Sequence, residues 1–212
     1  MRTEQVDRAD LDRLVGRARA LAEQGGRRLL GIAGSPGSGK STLAAEVTDA
    51  LGDRAVLVPM DGFHLAQTQL DALGRAERKG AMDTFDGGGF AHLLVRLKAA
   101  DEPVVYAPAF RRDLEEPIAG AVAVPVGVPL VVVEGNYLLA EVGGWERVRP
   151  LLDEVWFLVP EESVRLDRLI ARHMAFGRDR QAAEDRSFGS DQVNAEVVAR
   201  TSERADVLVT GC

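Results

Sequence analysis

The 212-residue chain predicts an α/β fold, a five-stranded parallel sheet covered by helices on both faces, with an added insertion and a helical lid. Three observations predict it. Short apolar runs at 28–33, 55–60, 130–135, 155–159 and 206–210 are nearly continuous rather than alternating, as in strands buried on both sides. Segments with helical spacing lie between them. The residues that carry chemistry (a glycine-rich loop, Asp61 and Glu134) fall at the carboxyl ends of the first three runs, where open parallel sheets bind ligands. The length suits one domain spanning 1–212.

Along the chain, Leu11, Leu14, Val15, Ala18, Leu21 and Ala22 share one helical face, which predicts a helix over 10–24 packed on the sheet. RLLGIA at 28–33 reads as the first strand, and Lys40 to Leu51 as the helix after it. The second strand is 55–60, followed by a helix over 62–73. KGAMDTFDGGG at 79–89 is a polar, glycine-rich insertion, after which Phe90, Leu93, Leu94 and Leu97 recur at helical spacing. Five prolines punctuate Val-rich runs from 103 to 129, which predicts edge strands or an extended excursion. LVVVEG at 130–135, VWFLV at 155–159 and DVLVT at 206–210 are the remaining strands. Helices are expected at 161–175 and near 191–203. The acceptor-side insertion then spans about 79–128 and the lid about 161–186.

Composition excludes several functions. A net charge of −7 supplies no general positive field for a nucleic-acid backbone, so no nucleic-acid partner is expected. The single cysteine, Cys212, excludes an internal disulfide framework and a multi-cysteine metal site. MRTEQVDRADLDRL is charged and lacks an apolar h-region, and no run approaches the length of a membrane span, so a cytoplasmic protein without a signal peptide or membrane anchor is expected.

GSPGSGKS at 34–41 fits the phosphate-loop pattern. Its glycines let successive backbone N–H groups turn toward phosphates, and the following helix adds partial positive charge. Residues Gly34, Ser35, Pro36, Gly37, Ser38, Gly39, Lys40, Ser41 and Thr42 are therefore the candidate nucleotide site, with Lys40 reaching the β/γ-phosphates and the Ser41 hydroxyl available to Mg²⁺. Lysines occur only at 40, 79 and 98, while arginine is written elsewhere, which suggests that position 40 requires a compact ammonium. No Asn-Lys-x-Asp for guanine recognition is present. A nucleotide site alone does not distinguish a phosphotransferase from a regulatory or transport-coupled ATPase. A phosphotransferase needs in addition a carboxylate for the acceptor hydroxyl, an acceptor pocket and a lid.

Each further candidate has a structural alternative. Asp61 is a helix N-cap or an acid–base group. Glu134 ends an apolar run, where a carboxylate requires a metal or an arginine partner. His64 is an acceptor contact or a packed histidine, and Phe85, Tyr106 and Phe110 line a pocket or fill a core. Arg165, Arg168 and Arg172 form a solvated basic face or a lid face that presents guanidinium groups, with Arg178, to the transferring phosphoryl group. Asp191 and Asn194 are weaker candidates, for the adenine side.

Together GSPGSGKST, MDGFH, RKGAMDTFD, YAPAFRR, VEGNYLL and RLDRLIARHMAFGRD resemble the P-loop small-molecule kinases, the group of uridine kinase, bacterial pantothenate kinase and phosphoribulokinase. The likeness is strongest to short nucleoside/nucleotide kinase-like or fructose-transport-system kinase proteins, and runs from about Arg28 to Gly211. It implies a P-loop NTPase fold and an ATP- and Mg²⁺-dependent kinase acting on a small-molecule hydroxyl (sugar, nucleoside or pantothenate-like), as a monomer or homodimer. Under it Asp61 matches the acceptor-activating carboxylate and Glu134 the carboxylate that helps hold Mg²⁺. Asp83 matches an acceptor-binding aspartate, and Tyr106 and Arg112 match a second acceptor-side segment. Uridine kinases usually carry Ser-Phe-Tyr where this chain has Gly62-Phe63-His64, and pantothenate kinases share Asp-Gly-Phe but are longer. The Arg111-Arg112 pair also suits an acceptor that is already phosphorylated.

Overall fold

A computed structural model describes residues 3–212, so Met1 and Arg2 of the charged N-terminal stretch lie outside the described residues. Strand β1 (Glu4–Asp7) precedes helix α1 (Leu11–Ala22), whose Asp10 cap accepts a hydrogen bond from the Arg13 backbone N–H. β2 (Arg28–Gly34), α2 (Lys40–Leu51) and β3 (Ala55–Pro59) follow. A 3₁₀ turn at Met60–Phe63 then leads into the short α3 (Gln67–Ala72). The turn breaks the continuous helix expected over 62–73. Next come α4 (Gly87–Ala99), β4 (Val104–Arg111), β5 (Glu116–Pro125) and β6 (Leu130–Gly135). β7 (Glu154–Val159), α5 (Glu162–Ala175), α6 (Arg180–Phe188), α7 (Ser190–Ala199) and β8 (Val207–Thr210) complete the chain.

The main sheet has six parallel strands in the order β1-β8-β7-β2-β6-β3, one more than the sequence predicts. The additional strand, β1, is a short edge strand in which only Val6 is buried, so it has no apolar run to announce it. Its ladder to β8, the buried Val6 and the pairing of Glu4 with Arg13 and Arg17 hold it in place. The proline-punctuated stretch folds as a separate antiparallel hairpin of β4 and β5.

Alternation along the strands divides the core between two faces. Leu30 and Ile32 of β2, Val132 of β6 and Trp156 of β7 pack toward α1 and α2. Leu29 and Ala33, Val131 and Val133, and Val155 and Phe157 pack on the other face, against α4 and the inward residues of the hairpin. Both faces are dry, which is why the central strands read as unbroken apolar runs. Among the described residues no helix is long and apolar enough to cross a membrane.

The chain runs from β2 outward to β3, returns to β6 beside β2, and then crosses to β7 on the other side of β2. The point where it changes sides lies at the carboxyl end of β2, which is where sheets of this kind form a ligand crevice.

Candidate active site

The glycine-rich loop leaves β2 at this point and ends where Lys40 begins α2. Gly37 and Gly39 adopt φ of +83° and +89°, backbone conformations that side chains disfavour. A Cβ at Gly37 would lie 2.6 Å from the Arg165 carbonyl oxygen, so the glycine also lets α5 approach the loop. The first-turn amides of α2 have no helical partners, which leaves them free for phosphate oxygens. A smaller cavity of about 420 Å³ opens here, lined by Gly37, Gly39, Lys40, Ser41 and Thr42, with Arg112, Arg168 and Arg172 opposite. Ser38 is fully buried and its hydroxyl has no partner. The Ser35 hydroxyl donates to the Ala195 carbonyl at 3.3 Å, so this residue fastens the loop to α7.

Glu134 sits between the two strands that matter. It is in register with Ile32 of β2 on one side and Pro59 of β3 on the other. The Ser41 hydroxyl donates to its Oε2 at 3.2 Å. Burial pushes the Glu134 carboxyl above the ordinary carboxylate range, and the neighbouring Lys40 ammonium opposes that rise. Burial likewise pushes Lys40 down, opposed by Glu134 and Asp61. Ser41 and Glu134 are two hard oxygen donors at the mouth of the loop. They fit Mg²⁺, whose other ligands would be phosphate oxygens and water.

Asp61 lies in the 3₁₀ turn directly after β3, with its side chain facing a cavity of about 510 Å³ that also reaches Lys40, Ser41 and Glu134. It does not act as a side-chain cap for the following turn. Its carboxylate instead accepts from Arg112 Nη2 at 3.2 Å. A Cβ at Gly62 would overlap the Pro108 carbonyl of the hairpin. That contact accounts for glycine at 62, because the hairpin closes directly onto the turn that carries Asp61. Gly135 is confined in the same way by Met60.

The acceptor-side wall comes from distant segments. The His64 ring is tilted against Phe85 at 3.9 Å and Phe110 at 4.7 Å between centroids. Lys79 Nζ sits 5.4 Å from the Phe110 ring centre and donates to the Glu115 carbonyl at 2.6 Å. The guanidinium carbon of Arg112 lies 5.9 Å from Phe110 and 5.8 Å from Phe176 at the end of α5. Arg172 and Arg178 reach the same cavity from the α5 side, and burial pushes Arg172 down. His173 Nε2 is 2.7 Å from Asp191 Oδ2, which ties α5 to α7. Tyr137, whose phenol burial pushes up, donates to the Gly80 carbonyl at 2.7 Å, and Asn194 donates to the same oxygen at 3.4 Å.

Most residues predicted from sequence converge on this cavity: Lys40, Ser41, Asp61, His64, Phe85, Arg112, Glu134, Arg172 and Arg178. Others do not. Tyr106 is 59% exposed on the hairpin's outer face, because β-strand alternation turns it away from its inward neighbours Val105 and Ala107. Asp83 is exposed and held by Arg78 at 2.6 Å and Arg75 at 3.5 Å, outside the cavity lining. Arg165 is no solvated cation. It is 2% exposed and donates to the Pro36 carbonyl at 3.1 Å and to Glu162 and Gln192, which holds α5 against the loop. Asp191 and Asn194 line the larger cavity beside Gly80. Sequence reasoning missed Lys79, Asn136 and Arg186. The scarcity of lysine that singled out Lys40 applied equally to Lys79. Asn136 lies in the VEGNYLL motif, and nothing local marked Arg186.

Comparisons with known proteins agree with this geometry. The model of the Phosphoribulokinase / Uridine kinase family matches residues 29–211. The Schizosaccharomyces pombe protein named "Putative uridine kinase C227.14" is 32% identical over 97% of this chain and 93% of its own length. The "ATP-dependent kinase-like protein notR'" of Aspergillus versicolor is 34% identical over 72% of this chain and 94% of its own. A crystal structure of a "putative fructose transport system kinase" from Silicibacter sp. TM1040 superposes with a TM-score of 0.84 at 36% identity, covering 93% of this chain and 98% of that one. A glycine-rich loop at the switch point, Glu134 at the end of β6, Asp61 just after β3 and a match over nearly the whole chain lead to one conclusion: the chain is a P-loop kinase of the phosphoribulokinase/uridine kinase family.

Proposed function

We propose that this kinase transfers the γ-phosphoryl group of Mg-ATP to a hydroxyl of a small metabolite of the sugar, nucleoside or pantothenate-like kind. The observation that carries this reading is that one cavity joins Lys40, Ser41 and Glu134 to Asp61 and continues to the wall of His64, Phe85 and Phe110. Donor and acceptor can therefore meet within one cavity.

Asp61 orients the acceptor hydroxyl and takes its proton as the oxygen attacks. For that its carboxylate must part from Arg112, which then turns its charge to the phosphates. Lys40, the loop amides and Arg172 and Arg178 neutralise charge that develops on the transferring group, where most of the rate enhancement in phosphoryl transfer arises. Ser41 and Glu134 would hold Mg²⁺, which would supply positive charge to offset that of the phosphates. The α5–α6 side, with Phe176 beside Arg112, would act as a lid that closes over the bound substrates.

The test is ATP consumption measured against a panel of sugars, nucleosides, nucleotides and pantothenate. An acceptor-dependent rate well above the water background supports the reading and rejects a regulatory ATPase. ADP release that no acceptor raises would overturn it.

A further inference from the structure

Residues 71–83 run along the acceptor end, where Ala76, Lys79 and Gly80 line the larger cavity, yet none of them is buried. Met82 gives the segment one part-buried contact with the core. Its own turns, such as Lys79 N–H to the Ala76 carbonyl at 3.2 Å, are local. Its place in the fold is therefore set by hydrogen bonds to distant residues. The Glu77 carbonyl accepts from Arg186 Nη1 at 3.1 Å, and the Lys79 carbonyl accepts from Arg186 Nη2. The next carbonyl, of Gly80, accepts from Tyr137 at 2.7 Å and from Asn194 at 3.4 Å. Arg186 belongs to α6 and Asn194 to α7. A guanidinium fork can serve two carbonyls at once, where a lysine would offer a single ammonium.

The same helices are fastened to the phosphate loop. Arg165 of α5 donates to the Pro36 carbonyl, and the Ser35 hydroxyl donates to the Ala195 carbonyl of α7. Arg165 to Gln192 and His173 to Asp191 join α5 to α7. Ala183 and Ser187 of α6 are fully buried, so α6 must move with its neighbours. One helical unit thus holds the nucleotide end by two contacts and the acceptor end by Arg186 and Asn194. Between them, Arg172 and Arg178 face the larger cavity, and Arg172 faces the smaller one as well. Phosphates that draw in these two arginines draw the unit with them. Arg186 then carries residues 77–80, and with them the Lys79 ammonium, toward the acceptor.

We infer that Arg186 is a positioning residue that couples the two ends of the cavity, so that each substrate tightens the binding of the other. It acts through the 77–80 segment and not through contact with the reacting atoms. Linkage makes the effect reciprocal: whatever nucleotide does for the acceptor, the acceptor does for nucleotide. This rests on the kinase reading of the site.

Two measurements test this. The first follows amide hydrogen exchange over residues 76–83 with and without Mg²⁺ and a non-hydrolysable ATP analogue. In the unmodified protein the analogue is expected to slow exchange there by about fivefold or more. In Arg186→Met it should not, although the analogue still binds within about threefold of its original affinity. No slowing in the unmodified protein, or equal slowing in Arg186→Met, overturns the inference. The second measurement uses whichever acceptor the panel identifies, and compares the KM for ATP extrapolated to zero acceptor with that at saturation. The ratio should be roughly five or more in the unmodified enzyme, about one in Arg186→Met and intermediate in Arg186→Lys. A raised acceptor KM in Arg186→Met with the ratio intact would make Arg186 merely structural and overturn the inference. If no acceptor is phosphorylated, the kinase reading fails, and the exchange measurement still decides whether Arg186 links the two ends.

Discussion

The two ends of the active-site cavity are built in opposite ways. The phosphate end is one contiguous segment, 34–42, set between a central strand and the helix it feeds, and it works largely through backbone N–H groups. The acceptor end is assembled from the turn after β3, the insertion before α4, the hairpin and the α5–α7 region, and it works through side chains. The first needs little beyond glycine at two left-handed positions. The second depends on long-range contacts such as Pro108 against Gly62 and Arg112 against Asp61. A backbone cradle suits a phosphate chain common to many reactions, whereas discrimination between acceptors needs side chains placed by the whole fold.

Asp61→Asn should break this division most sharply. Acceptor-dependent transfer should fall by about a thousandfold or more, while ATP affinity, set at the other end, changes by less than about threefold. Steady-state kinetics with a nucleotide-binding titration would check this, and a parallel loss of ATP binding would show the two ends to be one unit.

Glu134→Gln is next, since it stands at the junction. The Mg²⁺ concentration for half-maximal activity should rise by roughly ten- to a hundredfold. The sign of the pH effect follows from the raised Glu134 carboxyl. Below its pKa the group is protonated and the proton competes with metal. In the unmodified enzyme the Mg²⁺ requirement should therefore grow as pH falls, beginning at a higher pH than for an ordinary carboxylate, and this limb should vanish in the Gln variant. Mg²⁺ titrations of activity across a pH series measure it.

A smaller effect is expected from Arg165→Met. The Pro36 carbonyl loses a buried donor, at a cost of about 1–3 kcal/mol in stability. The KM for ATP should rise while that for the acceptor does not, and Arg165→Lys should recover part of the loss. Thermal unfolding and a KM comparison separate these effects. Asp83→Ala and Tyr106→Ala should do least. Asp83 is held in exposed ion pairs and Tyr106 faces outward, so kcat/KM should stay within about threefold and stability within about 1 kcal/mol. A large loss at Asp83 would show that the 79–89 segment swings inward when the acceptor binds.

The legibility of each feature follows the same divide. GSPGSGKS was legible as a candidate phosphate loop because such a loop depends on local backbone shape and on one compact ammonium. Asp61 and Glu134 were legible because strands announce their own ends. Phe85 and Arg112 line the cavity, but Tyr106 faces outward: one step along a strand reverses the face, and motif likeness does not carry the register of a hairpin. Arg165 looked like part of a solvated stripe because its partners, Pro36 and Gln192, are remote in sequence. β1 escaped because a four-residue edge strand with a single buried apolar residue carries no apolar run.

The sequence by itself determined a doubly covered parallel sheet, a nucleotide loop at its centre and two carboxylates on the neighbouring strand ends, since each depends on short-range pattern. Only the tertiary structure decided that Arg112 meets Asp61, that His64 is locked between two phenylalanines, and that Asp83 is tied away from the cavity. Those contacts join residues far apart in the chain, and no local propensity encodes which side chains packing will bring together.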